Sequence, residues 1–406
     1  MSLRTIRVKR LNVSELPSNI YHFCFGLLSV LYIVNVPGLN ISLGTVILVG
    51  FTPYSLYYLL KGIRTKRNAS PFFFFIFYLY LIFRSDANAM RIILCIAAFV
   101  NLAGQMAGAI KVEKIRSVVE GFAVLNAVLL FIQVLSFYIL HITIQYIPRD
   151  LIYEEYRNSW VFNSVSGLYR PSALFLEPSH FSQFCIFALI STLFPHNGIV
   201  NKKRAMIIGA GCVLTTSGMG IALTVGVVAW YIFLNRERLD RKILSILKWI
   251  PVGIIGLLIL SRMSFFQTAL QRVFSNVEGY NAISGRTHNW DDAIGSMKGQ
   301  LLWLGYGDSY NYRWYLTGLA DSIYKYGVVC IILEGLCFVY LMLKKRTNFV
   351  WLCSIVFAVL FCVAHITNFA SQVFYFGFIL SEVCAQTRMS NVMAYKNIAI
   401  NARTLS

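Results

Sequence analysis

The stretch Lys111–Tyr146, KVEKIRSVVEGFAVLNAVLLFIQVLSFYILHITIQY, decides the fold. Three cations, Lys111, Lys114 and Arg116, lead into an apolar run over roughly 117–145. A bilayer core takes about 20 apolar residues per helix. Lipid offers no partner to a backbone N–H or C=O, so such a run must be helical to cross. The same pattern recurs along the chain, near 18–36, 39–60, 70–84, 90–110, 179–196, 204–217, 219–235, 246–262, 320–343, 348–364 and 367–385. The expected fold is an all-α integral membrane protein, one polytopic domain over 1–406 with about twelve spans.

Composition agrees. Of the 406 residues, 57% are hydrophobic and only 13% charged, against about 25% charged in a soluble domain. The formal net charge is +19. In a soluble chain that would suggest nucleic acid, but here the cations cluster in alternate connections between apolar runs. They are Arg4/Arg7/Lys9/Arg10, Lys61/Arg64/Lys66/Arg67, Lys111/Lys114/Arg116, Lys202/Lys203/Arg204, Arg236/Arg238/Arg241/Lys242 and Lys344/Lys345/Arg346, with Arg388, Lys396 and Arg403 in the tail. Such clusters orient membrane helices with the positive side inward. Both termini are therefore expected in the cytoplasm, with membrane lipid and not nucleic acid as the surrounding partner. The nine cysteines avoid the polar loops and show no metal spacing, so no metal and no cofactor are expected.

Two outer connections are long, about 146–178 and 263–319, and short helices are expected in them. In the second, Trp290, Ile294, Met297 and Leu301 are spaced 4, 3 and 4, which predicts one amphipathic helix on the membrane surface.

The residues suited to chemistry concentrate near these loops. Tyr169–Phe184, YRPSALFLEPSHFSQF, leads into the sixth span. Pro178 suits a first helical turn, which puts Glu177 at the N-cap in a favourable dipole field. Glu177 and His180 can share a helix face, with Arg170 upstream. A capped helix start explains the same residues without chemistry. Arg286 and His288 precede Trp290. Gly305-Tyr-Gly307 lacks the strand–helix context of a nucleotide fold. Asp321 opens the tenth span, where Lys325, four residues on, is an ordinary helix partner. Glu334 is an intramembrane acid, which is costly and marks a functional candidate, with Asn101, Gln105, Asn126 and Gln133 as candidate partners. Loop aromatics such as Trp303, Tyr306 and Tyr310 suit sugar stacking, and also the interfacial belt.

At these residues the sequence resembles the O-antigen polymerase (Wzy) and O-antigen ligase superfamily of bacterial surface-polysaccharide assembly. Arg170-Pro-Ser-Ala-Leu-Phe-Leu-Glu-Pro-Ser-His180 is similar to the family's arginine followed by Phe-x-Glu-Pro. Leu214-Thr-Thr-Ser217 is similar to its Leu-Thr-x-Ser segment. Ser284-Gly-Arg286 through Trp290, Gly305-Tyr-Gly307, Asp321 and Gly327 is similar to its C-terminal signature. Asp321-Ser322 stands where many ligases show His-Asn, and no arginine follows Ser217.

The resemblance implies a GT-C-like glycosyltransferase of the bacterial inner membrane, working on its periplasmic face. It would move a growing glycan from undecaprenyl diphosphate to a lipid-linked repeat unit. A chain-length regulator and a flippase are the implied partners. Arg170 and Arg286 would clamp the diphosphate. Glu177, His180 or Asp321 would serve as base, with Glu177 favoured. Ser217, His288, Tyr310 and Glu334 are secondary candidates. Two other readings stand beside the polymerase: an O-antigen ligase, and a transporter or flippase of lipid-linked sugars.

Overall fold

The computed structural model describes residues 15–39, 41–64, 71–153, 164–165, 168–235, 287–366 and 368–384. Arg286 and the expected ninth span, 246–262, lie outside them. Each of the other expected spans coincides with helix. In chain order these are α1 (Leu16–Gly26), α2 (Leu28–Leu31), α3 (Leu43–Gly50), α4 (Thr52–Arg64), α5 (Phe72–Phe83), α6 (Ala89–Gly104), α7 (Val112–Leu140), α8 (Pro178–Leu193), α9 (Lys202–Leu214) and α10 (Gly218–Leu234). After the second loop come α11 (Trp290–Gly295), α12 (Gln300–Leu304), α13 (Gly318–Lys344), α14 (Asn348–Val363) and α15 (Phe369–Cys384). Leu43–Arg64, Ala89–Ala109, Val112–Leu140 and Gly318–Lys344 are long and apolar enough to cross a membrane, and α5, α10, α14 and α15 are shorter apolar helices. The fold is that of a helical, multi-pass membrane protein.

The polarity of α7 identifies its solvent. Its exposed stripe, Leu125, Val128, Ile132, Leu135 and Ile139, is wholly apolar at helical spacing, while Asn126 and Gln133 are buried on the other side. A water-facing helix shows the reverse. Two helices, α8 and α15, are buried almost all round and form the centre. Phe184 stacks on Phe374 at 5.5 Å and Phe187 packs on Tyr375 at 4.7 Å. Among lipid tails, association rests on such packing and on small residues that let backbones approach. Gly220 of α10 lies against Ser182, and Gly211 of α9 against Ala127 and Phe181.

Contacts between helix ends sort the connections into two faces. On one face Arg116 (α7) meets Glu382 (α15) at 2.7 Å, His196 meets the same carboxylate at 3.1 Å, and Lys345 completes the group. Glu120 and Arg204 pair nearby at 3.3 Å. On the other face lie the described parts of the two long loops, 146–153, 168–177 and 287–317, and the turns at 84–88 and 364–366. Antiparallel pairs β1 (Asn35–Val36) with β2 (Ile41–Ser42), and β3 (Ser164–Val165) with β4 (Leu168–Tyr169), add small hairpins there, where only helices were expected.

One expectation is corrected. Trp290–Leu301 is not a single surface helix. Gly299 takes φ +55 and separates α11 from α12, and Ala293 is buried against Leu316 and Ala320 of the α13 start.

Arg116, Lys345 and Glu382 are about 95% buried at the side chain. Removing one member of such a group leaves an uncompensated buried charge. Glu382→Ala should therefore cost about 3–5 kcal/mol and lower the melting temperature of the detergent-purified protein. An unchanged melt would show that the group carries no such weight.

Candidate active site

The segment before α8 is held by side chains of α7. Tyr169 stacks on Phe137 at 4.3 Å. The Ala173 N–H donates to Gln133 Oε1 at 2.8 Å, and the Leu174 N–H to Asn126 Oδ1 at 3.1 Å. Ala173 itself adopts φ +52. Two buried amides seven residues apart on one helix thus fix the path from Arg170 to Glu177. Asn101 bonds Ser55 and the Leu48 and Ala97 carbonyls. These three are therefore not partners of Glu334, whose Oε1 has none among the described residues.

Pro178 occupies the first helical position and Glu177 the N-cap, with φ −132 and ψ 150. The Glu177 side chain does not cap the helix. It accepts a hydrogen bond from Ser179 Oγ at 3.0 Å and is half-buried, as are Arg170 and His180. Glu177 and His180 sit at the start of the central helix, and Arg170 precedes Glu177 by seven residues on the segment that α7 holds. Ser217 is the N-cap of α10 and accepts from the Gly220 N–H at 3.4 Å. Its turn reaches α8, where Thr215 Oγ1 and Ser182 Oγ are 3.3 Å apart.

Asp321 lies in the first turn of α13, buried, 3.3 Å from Lys325 Nζ. No hydrogen bond or ion pair among the described residues joins it to Glu177. Its helix docks on the C-terminal end of α14, since the Gly318 N–H donates to the Ala364 carbonyl at 2.7 Å. His288 and Tyr310 are exposed on the same face. Glu334 is buried farther along α13, beyond the Gly327 break and within electrostatic reach of Tyr78, Cys330 and Cys337.

That break explains the glycines. Gly327 has φ +74 and ψ 178 inside α13, which frees carbonyls of the preceding turn. The Tyr306 N–H donates to the Tyr324 carbonyl at 2.9 Å and the Gly307 N–H to the Lys325 carbonyl at 2.8 Å. Tyr80 Oη takes the Tyr326 carbonyl. Gly305 and Gly307 have φ +74 and +106. A Cβ at Gly305 would overlap the Lys325 carbonyl, one at Gly307 the Asp86 carboxylate, and one at Gly327 the Trp303 carbonyl. Gly-x-Gly is here a backbone clasp, not a phosphate cradle. Arg84 reinforces it by donating to the Gly305 carbonyl at 2.8 Å, and Asp86 by accepting the Ser309 N–H at 2.8 Å.

Sequence reasoning missed Arg91, in the first turn of α6. It donates to Tyr326 Oη, lies 3.4 Å from Asp308, and stacks over Phe369 at 4.3 Å. The signal was Arg84 and Arg91 in a connection expected on the outer face, against the inward bias of cations.

Residues 205–328 match the O-antigen ligase (Wzy_C) family. This match over 205–328 agrees with the resemblance to the polymerase and ligase superfamily. The match takes in Ser217, the glycine clasp, Asp321 and Gly327, whereas Arg170, Glu177 and His180 precede it. Members of this family are glycosyltransferase-like or ligase enzymes that act on lipid-linked polysaccharide. No curated protein matches the chain.

Two outcomes follow from the clasp. Gly327→Ala forces a Cβ into a positive-φ site against backbone, and should cost about 2 kcal/mol or more and expose 303–309 to protease. Wild-type resistance in that variant would refute the clasp. The Ser309 N–H also holds the Asp86 carboxyl below its ordinary value. A lowered folded pKa stabilises above the unfolded value and is lost as pH falls through the lowered one. Amide exchange at Ser309 should stay protected at about pH 5 and above and lose protection, relative to its intrinsic rate, on acidification. Protection equal at both ends would contradict the linkage.

Proposed function

We propose that this protein is a glycan polymerase of the bacterial inner membrane. It transfers a growing chain from undecaprenyl diphosphate to the next lipid-linked repeat unit on the periplasmic face. Both termini would be cytoplasmic, as the alternating basic connections require. The feature that supports the reading is the start of α8, where Glu177 and His180 stand at the N-cap and in the first turn of the central helix and Arg170 lies seven residues before Glu177 on the segment held by α7. The family match over 205–328 points to the same chemistry.

The donor sugar is already activated by its lipid diphosphate. A hydroxyl oxygen of the acceptor sugar attacks the donor anomeric carbon. The bond from that carbon to the diphosphate oxygen breaks, and its electron pair leaves with the lipid diphosphate. Charge gathers on the leaving group, so fixed cations aimed at it are the largest need. A guanidinium binds phosphate bidentately, which suits Arg170 and Arg286. The hydroxyl proton passes to the Glu177 carboxylate, a base within reach of a sugar bound at the helix start. Glu177 fits because its carboxylate is not used to cap the helix. His180 orients or substitutes for it. Direct displacement inverts the donor carbon. Asp321, tied to Lys325, fits a supporting role better.

The description of the matched family favours a second reading, a ligase that moves finished glycan to another acceptor. A deletion strain separates the two. Loss of a polymerase leaves a single repeat unit on the final acceptor, whereas loss of a ligase leaves none. Within the polymerase reading, Arg170→Ala and Arg286→Ala should shorten or abolish the polymer at unchanged protein level. Glu177→Gln should lower transfer by about 100-fold or more. Normal long chains from both arginine variants would remove the clamp, and full activity of Glu177→Gln would remove the base.

A further inference from the structure

Between the outer ends of α3, α6 and α15 lies a cavity of about 410 Å³ that the transfer steps above do not use. Its size is in the range of small-ligand sites, about 300–1,000 Å³. Tyr32, Thr45, Arg91, Tyr153 and Asn368 are among its polar groups, and Phe369 and aliphatic side chains form the larger part of the wall. The pocket therefore combines aromatic side chains, hydroxyls, an amide and a guanidinium.

The charge balance selects the ligand. Arg91 already faces a carboxylate, Asp308, at 3.4 Å. A diphosphate drawn to Arg91 would also meet the charge on Asp308. Arg91 is fixed by its stacking over Phe369 and by Tyr326 Oη, yet its Nε is buried with no hydrogen-bond partner among the described residues. Native buried donors are nearly always satisfied, so an orphan asks for an explanation. Asn368 spends its Oδ1 on the Ser371 N–H at 2.7 Å, which keeps its amide N–H groups for another acceptor. Donors and acceptors side by side, with aromatic faces for ring C–H groups, match a polyhydroxylated ring and not an anion.

We infer that this cavity is a sugar-binding subsite for a neutral pyranose of the lipid-linked oligosaccharide. The source of the sugar rests on the polymerase reading; the binding chemistry does not. Leu176, next to Glu177, packs with Ile33 and Ile152 against Tyr32, which lines the cavity. The cavity wall is thereby linked through this cluster to the residue that precedes the proposed base.

Saturation-transfer NMR on the full chain, purified in a non-glycosidic detergent, tests this. The probes are the methyl β-pyranosides of glucose, galactose and N-acetylglucosamine, with inorganic pyrophosphate as competitor. At least one glycoside should receive saturation. Thr45→Trp fills the cavity and should cut the signal about fivefold or more, and Asn368→Asp, which keeps the capping oxygen but loses the amide donors, about fivefold. Met206→Trp, on an exposed position of α9 far from the cavity, should bind as wild type, and pyrophosphate should not displace the sugar. No glycoside binding, an unchanged signal in a normally eluting Thr45→Trp, or displacement by pyrophosphate would each overturn the subsite. Should Thr45→Trp fail to elute as wild type, Asn368→Asp decides. Glycoside binding without any glycan transfer by the wild type would retire the polymerase and leave the subsite. Transfer without glycoside binding would do the reverse.

Discussion

The face that carries Arg91 and Asp321 depends on one interruption, the break of α13 at Gly327. In lipid a backbone carbonyl without a partner is costly, so a helix that breaks near the membrane must be re-bonded by something specific. Here the partners are the N–H groups of Tyr306 and Gly307 and the Tyr80 hydroxyl. The second loop is thereby bound to the helix it precedes, and through Arg84 and Asp86 to the turn between α5 and α6. A segment that would otherwise be a long surface loop becomes a fixed wall beside Asp321, Arg91 and the start of α15.

The opposite face is closed by charge. Glu382 accepts from Arg116, Lys345 and His196 and so joins α7, the α13–α14 turn, the α8–α9 turn and α15. With these helix ends joined, α8 and α15 stand as the central pair. Of the residues proposed for catalysis, Glu177 and His180 sit at the start of the first, and the cavity wall includes the start of the second. Their mutual placement follows from aromatic packing along the pair.

Much of this was legible in the sequence because it is written locally. Apolar run lengths and alternating cations mark helices and faces. Pro178 fixes a helix start, and so the place of Glu177. What was not legible depends on partners distant in the chain. Asn126 and Gln133 looked like companions for an intramembrane acid, but they bond backbone groups some 40–48 residues away. The spacing of Trp290, Ile294, Met297 and Leu301 suits one helix, but the positive φ of Gly299 interrupts it, a choice made by packing against α13. Gly-x-Gly showed only that the backbone must come close to something; which backbone it approaches could be read only from the fold. Arg91 broke the charge rule in plain view, yet its meaning needed Asp308, Tyr326 and Phe369 brought to it.

The central claim is that a sugar alcohol displaces a lipid diphosphate at the outer start of α8. It is tested most directly by purifying the protein in detergent, adding lipid-linked repeat units, and measuring glycan length and released undecaprenyl diphosphate together. The account predicts one diphosphate lipid released per bond formed, in a ladder of lengthening chains, without added metal or nucleotide. Intact repeat units after incubation with a well-folded protein, or diphosphate released with no growth in chain length, would contradict it.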